Sequence, residues 1–202
     1  IKTDFGGTYS SSGNKLDYSG VESLAGGSGS DQVVIANAVT QGGTIDGGAG
    51  SNSLDYSLRN TPANFSLSGM GSVTGFSGTE SSLNAKFDNI TELIGSSLSD
   101  TLTGLNQNSV WDILADGTEN SLSGGNALHI TNIESLTGGS AQDTFRVEPG
   151  SNFLGTINGG LGSNWLDYSN YFTPVSVNLT TGSATDLVTG NYRNIANVIG
   201  GA

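Results

Sequence analysis

Glycine-rich turns carry the residues best suited to chemistry in this sequence. The first turn reads Gly26-Gly27-Ser28-Gly29-Ser30-Asp31-Gln32-Val33. Glycines let backbone carbonyls converge in a tight turn, and an aspartate can complete the oxygen cage that calcium prefers. We therefore take Gly27, Gly29 and Asp31 as candidate metal ligands, together with Asp143 of a related turn. The ion would be calcium, which the fold itself would not require.

Four further turns vary this pattern. Asparagine takes the place of the acid at Asn52 and Asn164, and two other turns lose one or two glycines. In this degenerate form the turns resemble the hemolysin-type (RTX) repeat family, in which carboxylates from adjacent coils share each calcium ion. The resemblance implies that Asp31 lies near Asn52 and Asp143 near Asn164, with half the charge per site. A structural alternative stays open, in which the glycines form turns and the Asp and Asn side chains stack in a ladder.

The elements that would position these turns recur along the chain. Residues 21–67 align without a gap onto residues 133–179, and 22 of the 47 aligned positions are identical. The sequence Leu-Asp-Tyr-Ser also occurs three times, beginning at Leu16, Leu54 and Leu166. We therefore expect an excerpt of a longer array, with one long repeat over 21–132 and an incomplete second copy over 133–202.

A shorter motif has two apolar residues three positions apart, with a glycine soon after. It begins at Val21, Ile90, Ile133 and Ile195. The first two intervals are 69 and 43 residues, close to three and two units of roughly 22 residues, which is within the range of solenoid repeats. Short stretches between the glycines alternate apolar and polar side chains, as half-buried strands do.

These features predict an all-β chain that folds as one parallel β-solenoid domain over residues 1–202, with about nine coils of roughly 22 residues. Each coil would pair its backbone with the next coil and bury a ladder of Leu, Ile, Val and Phe. Disorder is the first alternative, but β-type apolar runs recur too regularly for it. An immunoglobulin-type sandwich is the second, and it requires no repeat of this size.

Composition restricts the possible partners. Eighteen acidic and six basic residues give a net charge of −12, which disfavours nucleic acid and anionic membranes. The sequence has no run of about 18 apolar residues, so we expect no membrane insertion. It also has no cysteine, which excludes disulfides and thiol chemistry.

Catalysis is an alternative from a different functional class, because β-helix proteins include polysaccharide lyases and hydrolases. Such lyases need a cationic base beside calcium-binding carboxylates. His129 stands alone on an alternating strand, whereas Asp17, Asp55 and Asp167 recur in the Leu-Asp-Tyr-Ser copies, which indicates a structural role. We therefore predict no enzymatic activity. The basic residues share no motif; they are Lys2, Lys15, Arg59, Lys86, Arg146 and Arg193.

Aromatic residues offer one more candidate surface. Tyr18, Tyr56 and Tyr168 occupy the same position of the repeat and could form a stripe on which carbohydrate stacks. We expect instead that each ring covers a corner of a coil, with its hydroxyl hydrogen-bonded. Trp111 and Trp165 are expected to be packing residues.

A broader resemblance covers nearly the whole chain. The stretch Asn132-Ile133-Glu134-Ser135-Leu136-Thr137-Gly138-Gly139-Ser140, followed by Asp143-Thr144-Phe145, resembles the arrays of giant extracellular adhesin or hemagglutinin-like bacterial proteins. The resemblance implies a secreted structural rod, fibre or stalk at the bacterial cell surface. Self-association through the solenoid ends is the expected partnership. The alternative function is a calcium-stabilised adhesin module that binds glycans or another cell surface.

Overall fold

The computed structural model describes residues 6–11, 14–19, 23–37, 39, 43–114, 119–123, 126–151, 153–187 and 191–202. Every helix or strand in these residues is a β-strand, so the predicted all-β class is confirmed. In the same residues, no helix is long and apolar enough to cross a membrane. The chain divides into two compact units, Ile1–Asp100 and Thr101–Ala202, and the single domain over 1–202 stays a prediction.

The described part of the first unit contains two β-sheets built from ten strands. The strands are β1 (Gly6–Ser11), β2 (Asn14–Ser19), β3 (Ser23–Ala25), β4 (Asp31–Val34), β5 (Gly43–Asp46), β6 (Ser53–Asp55), β7 (Asn64–Met70), β8 (Phe76–Glu80), β9 (Ala85–Ile90) and β10 (Glu92–Ile94). One sheet has the order β2-β1-β4-β6-β10, and the other has the order β7-β8-β9-β5-β3.

Two sheets and a separate hairpin make up the described residues of the second unit. Its strands are β11 (Thr101–Thr103), β12 (Ser109–Ile113), β13 (Glu119–Ser123), β14 (Asn126–Thr131), β15 (Ser135–Thr137), β16 (Asp143–Val147), β17 (Thr156–Asn158), β18 (Trp165–Asp167), β19 (Val177–Asn178), β20 (Ser183–Ala184), β21 (Tyr192–Arg193) and β22 (Asn197–Ile199). The sheets have the orders β14-β13-β12-β16-β18-β22 and β21-β17-β15-β11, and β19 pairs with β20.

Strands of the two sheets form layers, each made of a strand of one sheet, a turn and a strand of the other. Neighbouring layers pair in parallel. In the first unit Leu24 of β3 lies opposite Ile45 of β5. In the second unit Leu136 of β15 lies opposite Ile157 of β17. The interval along the chain is the same for both pairs, and it is close to the predicted unit of roughly 22 residues.

Apolar side chains from successive layers form the core of each unit. In the first unit Leu54 is 1% exposed and Leu93 is fully buried. In the second unit Trp111 stacks on Phe145 with ring centroids 5.8 Å apart, and both rings are fully buried. The packing role predicted for Trp111 is therefore confirmed. Trp165 is only half-buried and lies on the outer face of its strand.

The tyrosines of the Leu-Asp-Tyr-Ser copies are core residues where the structure describes them. Tyr56 and Tyr168 are both fully buried, so neither can form a stripe on which carbohydrate stacks. The Tyr168 hydroxyl donates to the carbonyl of Thr185 at 2.8 Å, as expected for a ring that covers a corner. The side chain of Tyr18 lies outside the described residues.

Antiparallel insertions interrupt the parallel layers, which the sequence did not predict. Strand β1 pairs antiparallel with both β2 and β4. Strands β7, β8 and β9 form one antiparallel meander, and β12, β13 and β14 form another. In the described residues these insertions leave three layers in the first unit and four in the second. The described residues thus contain fewer layers than the expected nine or so coils, because that expectation assigned the inserted residues to coils.

The short motif marks a strand that enters a turn, in either sheet. In the first unit Leu24 lies on β3 and Leu93 on β10, which belong to different sheets. In the second unit Leu136 lies on β15 and Val198 on β22, again in different sheets. The intervals between copies of the motif are therefore not whole multiples of one coil. The same pattern recurs because both kinds of strand place an apolar residue before a tight turn; Leu93 and Leu136 are buried, and Leu24 and Val198 are half-buried.

Candidate functional site

The acidic residues of the glycine turns point inward and close their own turns. The Asp31 carboxylate accepts a hydrogen bond from the Gly27 amide at 2.8 Å, and Asp31 is 3% exposed. Asp143 is fully buried and accepts from the Gly139 amide at 2.9 Å. In each turn the donor lies four residues before the acid. The carboxylate therefore takes the place of a backbone acceptor in a segment that is too tight to form a ladder hydrogen bond.

An asparagine of the next layer continues each of these contacts. In the first unit Asn52 Oδ1 accepts from the Asp31 amide at 3.1 Å, and its Nδ2 donates to the Asn89 carbonyl at 2.9 Å. The second unit repeats this arrangement with other residues: Asn164 Oδ1 accepts from the Asp143 amide at 2.9 Å. We call Asp31, Asn52 and Asn89, and their equivalents Asp143, Asn164 and Asn194, the polar columns.

The second polar column ends like the first. Asn164 Nδ2 donates to the Asn194 carbonyl at 3.0 Å, and Asn164 is fully buried. The neighbour pairs predicted from the sequence, Asp31 with Asn52 and Asp143 with Asn164, are therefore both confirmed. Each asparagine side chain joins the backbones of two layers, whereas each aspartate side chain closes its own turn, so the glycine turns have the structural role of the alternative without direct stacking of Asp on Asn side chains.

Close approach between layers explains one glycine in each turn. A Cβ atom at Gly26 would lie 2.3 Å from the carbonyl oxygen of Gly47 and 2.5 Å from the Asp31 carboxylate. A Cβ atom at Gly138 would lie 2.3 Å from the Asp143 carboxylate. Gly27 and Gly29, in contrast, have open space where a Cβ would stand. The first glycine of the pattern is thus fixed by packing.

Three of the candidate metal ligands, Gly27, Asp31 and Asp143, already take part in hydrogen bonds within or between the turns. Gly27 accepts from the Ala49 amide of the next layer at 2.9 Å, while its own amide donates to Asp31. The described residues contain no cluster of three or more His, Cys, Asp or Glu side chains that could hold a metal. Calcium at Gly27, Gly29, Asp31 and Asp143 stays a prediction.

Burial changes the acidity of two of the acids. Desolvation raises the pKa of Asp143 to about 6 from its ordinary value of 3.8, although hydrogen bonds from Gly139, Trp111 and Ser109 act in the opposite direction. Burial also raises the pKa of Asp100, an effect that hydrogen bonds from Ala63 and Ser96 oppose. Burial therefore destabilises the ionised form of each acid relative to the protonated form in the folded protein.

Three asparagines have a left-handed backbone conformation, and the sequence did not identify them as candidate site residues. Asn89, Asn132 and Asn194 have φ values of 59°, 53° and 56°, a region that asparagine enters more readily than most residues. Asn89 Oδ1 also accepts from the Val73 and Thr74 amides at 2.7 and 3.0 Å. Each of the three asparagines directly precedes the isoleucine of a short motif, and this recurring Asn-Ile pair is the signal that could have identified them.

The recurrent aspartates of Leu-Asp-Tyr-Ser have the structural role that the sequence indicated. Asp55 Oδ1 accepts from the Ser57 amide, and Asp167 Oδ1 accepts from the Ser169 amide, both at 2.8 Å. This contact with the residue two positions on is an Asx-turn. The side chain of Asp17 lies outside the described residues.

The basic residues lie in separate surroundings. Arg146 forms ion pairs with Asp112 at 2.8 Å and with Asp167 at 3.5 Å. Arg59 is buried and its Nη2 donates to the Thr61 hydroxyl at 2.8 Å. Lys86 and His129 are exposed on β9 and β14, and Arg193 is exposed on β21. Lys2 and the side chain of Lys15 lie outside the described residues.

Comparison with known proteins adds no relative. No protein-family model matches the chain, and no curated protein matches it either. The resemblance to hemolysin-type turns and to adhesin-like arrays therefore stays a prediction that depends on the residues themselves.

Proposed function

We propose that the chain is a segment of a parallel β-solenoid and serves as a structural rod, fibre or stalk at the bacterial cell surface. The parallel pairing of adjacent layers, with one step of equal length in each unit, is the observation that carries this proposal. Proteins whose layers contact only their neighbours gain stability layer by layer, which suits an extended mechanical element.

The polar columns support a structural role. Asn52 satisfies both of its polar groups only when the layers on either side lie at the correct height. Buried polar groups that are fully hydrogen-bonded specify one arrangement of a core, because any slip leaves them unsatisfied. A role in fixing register also explains why the same contacts recur in the second unit at Asn164.

An extracellular location and self-association follow from the resemblance to adhesin-like arrays and from composition. The acidic, cysteine-free chain has the character of an exported repeat protein. Exposed strand edges pair with further strands, so end-to-end docking of copies would build a fibre. Negative-stain imaging of the concentrated protein tests this step. Fibres are the expected result, and a chain that stays monomeric at high concentration would contradict docking.

The calcium-stabilised adhesin is the other function to be tested. We expect equal unfolding temperatures in calcium and in a chelator, because Asp31 Oδ2 and the Gly27 carbonyl oxygen are already hydrogen-bonded. The Asp31→Asn variant serves as a control, since it removes the carboxylate of the first turn. A large rise in unfolding temperature with calcium that Asp31→Asn abolishes would replace the purely structural role with the adhesin.

A further inference from the structure

A polar cleft lies on the first unit beside the antiparallel meander. Its volume is about 540 Å³, within the range of pockets that hold small molecules. The polar residues that line it are Thr44, Thr79, Glu80, Ser81, Asn84 and Lys86. The cleft takes no part in the polar columns.

Strand register places three of these residues in one row. Lys86 on β9 lies opposite Thr79 on β8 and opposite Thr44 on β5. Ile45 and Phe87, the next residues on β5 and β9, are buried in the core. Because side chains alternate along a strand, the row lies on the outer face of the sheet. It presents a hydroxyl, an ammonium group and a second hydroxyl side by side.

Glu80 does not offer its charge to a ligand. It is fully buried, and its carboxylate accepts from the Asn64 amide at 3.0 Å and from the Ser82 amide at 2.9 Å. It also accepts from the Ser82 hydroxyl at 2.8 Å and the Leu83 amide at 3.1 Å. Lys86 is therefore the exposed charged side chain of the described lining.

The lining identifies the class of ligand. Hydroxyl and amide groups both donate and accept hydrogen bonds, as sugar hydroxyls do. The described lining contains no aromatic or large aliphatic side chain, so an apolar ligand would gain little. Asp46 and Asp88 follow Thr44 and Lys86 on the same face, roughly 7 Å along their strands. Their charges offset that of Lys86, so the cleft gives an anionic ligand no net advantage over a neutral one.

We propose that this cleft binds one neutral hexose unit of a glycan through hydrogen bonds from Thr44, Thr79, Asn84 and Lys86. The inference deepens the glycan-binding alternative and rests on that function, but not on the rod or on calcium. A failure of sugar binding would therefore leave the layer register and fibre formation as separate questions.

Titration of ¹⁵N-labelled protein with methyl glycosides of glucose, galactose, mannose and N-acetylglucosamine tests the proposal. We expect at least one of them to bind with a dissociation constant on the order of millimolar, because the cleft is open and polar. Amide shifts should centre on Thr44 and on residues 79–86. Lys86→Ala and Thr79→Ala should each weaken binding about fivefold to tenfold, as expected for the loss of one hydrogen bond.

Thr156→Ala is the matched control, because Thr156 is an exposed strand threonine of the second unit that lies outside the cleft lining. It should leave binding unchanged, and unchanged unfolding temperatures would show that all variants fold. Absence of shifts at tens of millimolar glycoside would overturn the proposal, as would wild-type affinity in both Lys86→Ala and Thr79→Ala. Glucuronate is the anionic comparison, and tighter binding of glucuronate than of every neutral glycoside would refute a neutral ligand.

Discussion

Asn52 occupies a position that only an amide side chain satisfies completely. Its oxygen accepts from the Asp31 amide and its nitrogen donates to the Asn89 carbonyl. A carboxylate has acceptors but no donor, so it would face the Asn89 carbonyl without a hydrogen bond. The asparagine that departs from the calcium-binding pattern thus has a reason in the stacking of layers.

The Asn52→Asp variant tests this reason. We expect it to lower the free energy of unfolding by about 2–4 kcal/mol at neutral pH, because it buries a charge against a carbonyl oxygen. Urea unfolding measures the change. Asn60→Asp, at an exposed asparagine, is the control and should change stability by less than about 0.5 kcal/mol. Recovery of the Asn52→Asp variant by added calcium would instead support shared ions between layers.

Asp143 makes stability depend on pH. Its pKa is raised from 3.8 to about 6 by burial, so between these values the folded state binds more protons than the unfolded state. The contribution of this group to the free energy of unfolding therefore falls as pH rises from about 4 to about 6, by up to about 1.4 kcal/mol per pH unit. Urea unfolding of the wild type and Asp143→Asn across this window measures the effect. As pH rises, the free energy of unfolding of the variant should increase relative to that of the wild type. A constant difference would contradict the raised pKa.

Part of this chemistry can be predicted from the sequence. The resemblance to hemolysin-type turns correctly placed Asp31 beside Asn52, because equivalent positions of successive glycine turns become neighbours when the layers stack. The inward direction of Asp31 could not be predicted, since it depends on the close approach of Gly26 to the next layer. The role of Asn89 was hidden too, because its backbone conformation is set by the short turn that it occupies.

At the scale of elements, two buried acids hold the start of the β7–β8–β9 meander through hydrogen bonds. Glu80 accepts from the Asn64 amide at 3.0 Å, and the neighbouring Ala63 amide donates to Asp100. Both acids are fully buried. These contacts tie the start of β7 to a layer turn, which lets a long insertion interrupt the parallel layers without loosening them.

Truncation of Glu80 tests this attachment. Glu80→Ala leaves three backbone amides and the Ser82 hydroxyl without their acceptor, so we expect a loss of about 2–4 kcal/mol. Glu80→Gln keeps a side-chain oxygen and should cost less. Hydrogen exchange should accelerate most in residues 63–83 and least in β5. Equal costs for the two variants, or uniform acceleration, would show that the meander is held by other contacts.

The insertions also show where sequence patterns lose information. Periodicity identified strands, but a strand of a parallel layer and a strand of an antiparallel hairpin alternate in the same way. The motifs that begin at Ile90 and Val21 are alike, although the strands on which they continue, β10 and β3, belong to different sheets. Only long-range pairing separates these cases, and pairing is not encoded in a short window of sequence.

At the scale of the whole molecule, each unit repeats the same solution with different residues. Phe145 and Leu166 are parallel register partners in the second unit, as Val33 and Leu54 are in the first. The hydrogen bonds of the polar column accompany both pairs. A chain built this way should tolerate the loss of a whole layer but not of a fraction of one, because a fractional deletion breaks the register of every strand that follows.

Removal of residues 26–46 tests that expectation, because it joins Ala25 to Gly47. Ala25 and Asp46 are register partners, so the deletion removes one whole step between layers and keeps Asn52 above Asn89. We expect a β-sheet circular dichroism spectrum and a cooperative unfolding transition at a somewhat lower temperature. Removal of residues 26–43 is the control, since it joins Ala25 to Thr44 and misplaces the turn. That variant should lose cooperative unfolding, because the buried side chains of the next strand would meet the wrong partners. Equal behaviour of the two deletions would mean that the layers are not interchangeable units and that the chain is not a solenoid.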